Sequence, residues 1–211
     1  SECCNGRIFA KYWMHNAFLN IDNRKMSKSL GNFFTVREIG EKYDLQVLRF
    51  FMLNAHYRSP LNFSAELMEA SKNALDRIVT CVDQLKHLLE NAGGEEISEA
   101  ERALLPEIEG YVKKYEESME DDFNTADAIA AVFELVKFTN TQAGSGSTKA
   151  FVKLLFDKIT GLCDILGLLV NKKEEVLDSD VERLIEERQA ARKAKDFARA
   201  DEIRDQLASM G

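Results

Sequence analysis

The longest periodic stretch of this chain runs from Ser64 to about Asn91. Leu67, Met68, Leu75, Ile78, Val82, Leu85 and Leu88-Leu89 recur every three or four residues, and no proline interrupts them. That period puts the apolar side chains on one stripe of a helix, and Ser64 can cap its start. Such a helix has an apolar face to bury, so the rest of the chain is expected to supply partners.

The partners follow directly. Ala92-Gly93-Gly94 ends the first helix. Ser98-Glu99-Ala100-Glu101 is a capping box. Pro106 either breaks that segment or restarts a helix to about Met119, with Ile108, Tyr111, Val112 and Tyr115 inward. Asn124 caps a third helix containing Ile129, Val132, Phe133, Val136 and Phe138. After the flexible Ala143–Ser147 loop, Thr148 opens a fourth through Phe151, Leu154, Leu155, Ile159 and Cys163 to about Leu169. Four helices joined by short polar loops make an antiparallel bundle with its own core.

The front of the chain reads differently. Ala17–Ile21 is expected to be a short strand, with Asp22-Asn23 as the turn after it. Thr35-Val36-Arg37-Glu38 is a capping box, and Asp44 can cap a helix carrying Leu45, Leu48, Phe51 and Met52. Arg58–Phe63 contains Pro60 and reads as a connector. At the other end, Asn171–Asp178 is a charged linker. Ser179-Asp180-Val181-Glu182 then starts a charged helix to about Ala194, and Asp196 can cap a last one over Phe197–Met210. That hairpin has too few large apolar residues to be stable alone. The expected fold is therefore mainly α, with a short strand by the loop, an antiparallel helical bundle and a C-terminal helical hairpin. The expected divisions are 1–60, 61–170 and 171–211.

Composition limits the function classes. No run of ~18 apolar residues occurs, so nothing is expected to span a membrane. No signal peptide is visible at Ser1-Glu2-Cys3-Cys4, and the missing initiator Met fits a piece of a longer protein. The four cysteines show no CxxC, and adjacent Cys3-Cys4 does not readily share one tetrahedral zinc. Free thiols in a reducing cytoplasm are expected, with Cys81 and Cys163 on core faces. The net charge of −8 argues against a general basic coat. Charge is uneven, however: residues 5–42 carry seven basic against three acidic groups, and residues 90–122 carry three against twelve.

The chemistry is concentrated in Lys25-Met26-Ser27-Lys28-Ser29, followed by Leu30-Gly31-Asn32. Two ammonium groups and two hydroxyls on a short loop can hold a polyphosphate, and Gly31 permits an unusual backbone turn beside them. This is the KMSKSLGN form of the loop found in class I aminoacyl-tRNA synthetases. The flanks narrow the resemblance. They are Ala10–Asn16, Phe33–Ile39, Leu48-Arg49-Phe50-Phe51-Met52, His56–Phe63, Met119–Thr125 and Ala191–Asp205. In this order they resemble the bacterial cysteinyl-tRNA synthetases over nearly the whole chain.

The resemblance implies that cysteine is activated with ATP and Mg and transferred to tRNA(Cys). Lys28, the second lysine of the loop, is implied as the catalytic cation on the ATP phosphates, with Lys25, Met26, Ser27 and Ser29 completing the ATP-binding loop. The family uses zinc to select cysteine, but its ligands lie upstream and none maps here, so no metal ligand is assigned. The HIGH-type motif of these enzymes is absent too, and the chain alone is expected to be inactive. The family places anticodon recognition in its C-terminal domain, which implies tRNA contacts at Arg192, Lys195, Asp196 and Arg199, in a domain expected to be truncated at Gly211.

Two further readings stand beside these. One is a cysteine ligase acting on a sugar amine, a relative that lacks the C-terminal hairpin. Another is a helical scaffold with no ligand. Locally, His15 and Trp13 read as near the loop or as plain packing, His56 as capping or exposed, His87 as surface. Glu120, Asp121 and Asp122 read as favouring the start of the next helix through its dipole.

Overall fold

A computed structural model describes residues 1–27, 29, 31–169, 187, 188, 199, 201, 203, 204 and 206. The chain divides into two compact units, Ser1–Leu169 and Val170–Gly211.

In the first unit, capping groups set the helix boundaries. After the single turn α1 (Glu2–Asn5) come the strands β1 (Leu19–Ile21) and β2 (Arg24–Lys25). Thr35 and Glu38 form the expected capping box at the head of α2 (Val36–Gly40). Asp44 caps α3 (Leu45–Leu53), whose buried residues are Val47, Phe50 and Phe51. Leu45 and Met52 are exposed, so the buried stripe is rotated from the expected one. The reason is tertiary: Phe50 meets Phe133 edge-on, with centroids 6.3 Å apart.

The segment expected to be a plain connector contains a strand, β3 (Leu61–Phe63). It pairs parallel to β1, Leu19 with Leu61 and Ile21 with Phe63, while β2 pairs antiparallel on the other side. Pro60 precedes the strand, where its missing N–H breaks no ladder bond. Phe63 packs edge-on against Phe51 at 5.7 Å, which seats the sheet on the helical core.

Ser64 caps α4 (Ala65–Asn91), which runs the length its periodicity predicts. A short α5 (Glu99–Arg102) follows, and Pro106 restarts the chain in the first turn of α6 (Leu105–Glu120). Next come α7 (Thr125–Gln142), capped by Asn124, and α8 (Lys149–Ile165), capped by Thr148. The last helix stops short of the expected Leu169. Gly167 there has φ +62°, and a Cβ would lie 3.0 Å from the Arg49 guanidinium, so a left-handed residue redirects the chain. Short turns join α6 to α7 and α7 to α8, making consecutive helices antiparallel. The core is continuous from α3 to α8, with Met68, Ile78, Ile108, Ile129, Leu135, Phe151, Leu155 and Ile159 fully enclosed. Each such side chain contributes roughly 1.5–3 kcal/mol.

Two polar groups inside this framework are satisfied. Tyr115 donates to the Leu162 carbonyl at 3.1 Å, and burial pushes its phenol up to about 12. Glu101, almost buried, accepts from the Ser98 and Thr148 hydroxyls and backbone amides at 2.8–2.9 Å. One carboxylate therefore serves two helix starts. Burial alone would raise its pKa, but these bonds outweigh burial and hold it below the ordinary value. Cys81 and Cys163 lie in the core as expected, and burial pushes their thiols up to about 11 and about 12.

In the second unit, Glu187, Arg188, Arg199, Asp201, Ile203, Arg204 and Gln206 are helical and Ile203 is fully buried. Arg199 lies 3.5 Å from Glu187, and Arg204 lies 2.9 Å from Asp201. The expected boundaries of both hairpin helices lie outside the described residues.

Candidate functional site: a hairpin loop and its anchors

The loop Lys25–Ser29 leaves a very small hairpin. Asp22 and Asn23 both have positive φ, 46° and 61°, so the two-residue turn has the handedness that matches strand twist. Asx residues tolerate that region best, which is why this sequence signal was readable. The second strand ends at Lys25, whose side chain is exposed. Met26 and Ser27 are half-buried, and Ser29 is exposed. The Ser27 and Ser29 hydroxyls lie 2.7 Å apart, so two acceptor-donor groups face one locus. Lys28 and Leu30 lie outside the described residues.

Two asparagines grip this hairpin. Asn32 Oδ1 accepts from the Ser27 amide at 2.9 Å, and its Nδ2 donates to the Lys25 carbonyl at 3.1 Å. Gly31, at φ +66°, turns the chain back to allow this, and a Cβ there would meet nothing. Its need for glycine is conformational rather than steric. From the sheet side, Asn62 Oδ1 on β3 accepts from the Asn23 amide at 2.7 Å. The Phe63 carbonyl accepts from the Asp22 amide at 3.1 Å.

The sheet is tied in turn to the bundle. Ala17 donates its amide to the Tyr57 carbonyl at 2.8 Å. The Tyr57 hydroxyl donates to Asp122 at 2.8 Å, and Arg58 Nε lies 2.7 Å from the same carboxylate. His56 stacks on Tyr57 with centroids 4.9 Å apart, and its Nε2 is 3.8 Å from Asp122. Asp122 sits in the α6–α7 turn, where both it and Phe123 have φ 55°. The Tyr57 hydrogen bond, then the Arg58 charge, hold its carboxyl below the ordinary value against the opposing effect of burial. Beyond the dipole role expected of Glu120, Asp121 and Asp122, Asp122 faces the connector, while Asn124 and Asp127 make the capping bonds at the head of α7. The anchoring bonds of Asn62, Asn32 and Tyr57 escaped the sequence reading, because they join segments that periodicity treats separately.

Elsewhere, Trp13 and His15 are exposed, and His87 is exposed beside Glu90. Arg199 is exposed and ion-paired with Glu187, whereas Arg192, Lys195 and Asp196 lie outside the described residues. Among the described residues no group of three or more His, Cys, Asp or Glu is placed to hold a metal, and no helix is long and apolar enough to cross a membrane. Nor do the two buried cysteines among the described residues fit a zinc site. Burial holds Cys81 and Cys163 protonated, opposite to what a thiolate ligand requires.

Comparison with known proteins accounts for nearly the whole chain. Residues 1–73 match the class I (C) tRNA synthetase catalytic domain, 114–170 the DALR domain, and 174–211 the cysteinyl-tRNA ligase anticodon binding domain. The cysteine–tRNA ligase of Lachnospira eligens is 63% identical over all 211 residues, and that of Lachnoclostridium phytofermentans 54% over 217. The alignments cover 45% and 46% of those proteins, so the chain spans about half the length of the curated relatives it matches. Among solved structures, the agnB2 LeuRS of Agrobacterium radiobacter K84, in a ternary complex with tRNA and LeuAMS, superposes with a TM-score of 0.56. It shares 19% identity, and the match covers 73% of this chain and 22% of that one, a likeness of fold.

Proposed function

This chain belongs to the cysteine–tRNA ligase family, and from that premise we propose that it supplies the ATP-contacting loop and the tRNA-facing helices of such an enzyme. The reaction is cysteine activation by ATP with Mg, then transfer of the cysteinyl group to tRNA(Cys) in the cytoplasm. One observation carries the proposal. The family's phosphate-loop sequence sits at the end of a two-residue-turn hairpin, gripped on both sides, in a chain 63% identical to a cysteine–tRNA ligase.

Attack of the cysteine carboxylate on the α-phosphate expels pyrophosphate, and negative charge grows on the departing oxygens. An ammonium that meets this charge more closely in the transition state lowers the barrier. Lys28 takes that role, Lys25 assists it, and the Ser27 and Ser29 hydroxyls donate to phosphate oxygens. Residues 1–60 close the catalytic domain, 61–170 form a tRNA-contacting bundle, and 171–211 reach the anticodon through Arg192, Lys195, Asp196 and Arg199. Basic groups there hold phosphates and Asp196 accepts from a base edge. Zinc, when bound, selects the cysteine thiolate, and its ligands do not come from this chain. The match of residues 174–211 to an anticodon domain speaks against the sugar-amine ligase and the ligand-free scaffold.

The test is cysteine-dependent ATP–pyrophosphate exchange, in this chain and in the protein at its relatives' full length. The short chain is expected to be inactive and the long one active. Lys28→Ala in the long form should lower kcat by about 10²–10³-fold. Unchanged kcat in that variant would remove Lys28 from the mechanism.

A further inference from the structure

The hairpin that presents Lys25–Ser29 has little to hold it. Its two strands span three and two residues, and a two-residue turn on a pair this short is marginal in water. On β2 burial does not compensate, because Arg24 and Lys25 are both exposed, whereas Ile21 on β1 is buried. Pairing with β3 and the bond from the Asp22 amide to the Phe63 carbonyl hold β1 and the start of the turn, and β2 itself is left to a pair of side-chain amides. Asn62 holds the turn from β3, 39 residues away in sequence, through the Asn23 amide. Asn32 replaces the missing third rung of the ladder, accepting from Ser27 N–H and donating to Lys25 C=O as a backbone group of a longer strand would.

We infer that Asn62 and Asn32 are positioning residues that clamp the two ends of β2 and so set where the loop presents its phosphate-binding groups. Neither needs to touch a nucleotide. The consequence for catalysis rests on the function proposed above; the clamp itself does not. The two residues use different atoms, and this makes the inference sharp. Asn62 works through its acceptor oxygen, which an Asn62→Asp substitution keeps. Asn32 works through oxygen and nitrogen together, and an Asn32→Asp substitution keeps only the oxygen.

The experiment follows amide hydrogen exchange in this chain and pyrophosphate-exchange kinetics at full length, for Asn62→Ala, Asn62→Asp, Asn32→Ala and Asn32→Asp. The Asn23 amide should exchange about tenfold faster in Asn62→Ala and stay protected in Asn62→Asp. The Ser27 amide should respond in the same way to Asn32→Ala and Asn32→Asp. At full length, Asn62→Ala should lower kcat by about tenfold or more with little change in KM for ATP, because a displaced loop loses transition-state contacts first. Asn62→Asp should restore kcat to within about twofold of the parent, while Asn32→Asp should recover only part of the loss. A simple loss of fold would not separate Asp from Ala in this way. Protected amides in both Ala variants overturn the clamp, and so does an Asn62→Asp variant as impaired as Asn62→Ala. If the full-length parent shows no exchange activity, the proposed function falls, and the clamp is decided by the two amides alone.

Discussion

On α8, Phe151, Val152, Leu155 and Ile159 are fully enclosed, whereas at the front Ile8, Tyr12, Trp13 and Phe18 are 80%, 88%, 65% and 64% exposed. The two regions contain similar residue types. In the bundle, apolar side chains recur at helical spacing and find partners on neighbouring helices. In the front they recur without that spacing, and order comes from discrete hydrogen bonds at Asn23, Ser27, Ala17 and Asp122. Burial is non-directional and cumulative, so the bundle resists any single change to its surface. Hydrogen bonds at an exposed hairpin are few and local, so each one matters to geometry and little to overall stability.

Substitutions that break each region should therefore look different. The largest expected effect is Phe151→Ala, which removes a ring from the centre of the core and should cost about 3–5 kcal/mol in urea unfolding. A value below ~1 kcal/mol would mean that the bundle core is not the stabilising unit. Glu101→Ala comes next. It strips acceptors from the starts of both α5 and α8, and should cost about 1–3 kcal/mol. The same carboxylate gives a pH signature. Its folded pKa lies below the ordinary 4.5, so its contribution is full above that value and is lost as pH falls through the folded pKa. Glu101→Gln should flatten this acid limb, which thermal melts between pH 3 and 6 (about the carboxylate range) would detect.

Asp122→Asn should barely move the unfolding midpoint, since Asp122 and its ion-pair partner Arg58 are both exposed. It should nevertheless raise exchange at the Ala17 amide, because Tyr57 carries both contacts. A large drop in midpoint instead would assign the α6–α7 turn to the core. The smallest effect is expected for Trp13→Ser: stability within about 0.5 kcal/mol, with less self-association by light scattering. Loss of stability there would show that the exposed aromatics are packed after all.

How much of this was legible in the chain follows from the range of each signal. A cap acts over three residues, so Thr35, Asp44, Ser64, Ser98, Asn124 and Thr148 all announced helices that form where they stand. The helical period acts over one helix, and it identified the buried stripes of α4, α6 and α8, apart from Leu67, which is exposed in the first turn of α4. The Asp-Asn turn and the lysine loop were readable for the same reason. By contrast, β3 is three residues long, too short to show a period, and exists because β1 offers it a ladder. The rotated face of α3 depends on Phe133, far downstream on α7.

The sequence by itself thus determined a helical bundle, its caps, and a lysine- and serine-bearing loop behind an Asp-Asn turn, because each is written in neighbouring residues. Only the tertiary structure decided that Asn62 and Asn32 hold the loop, that Asp122 anchors Tyr57 and Arg58, and that Glu101 serves two helices. Those bonds pair single polar atoms across turns and between distant segments. A polar residue carries no periodic mark of its partner, so only the packed backbone can say which donor it meets.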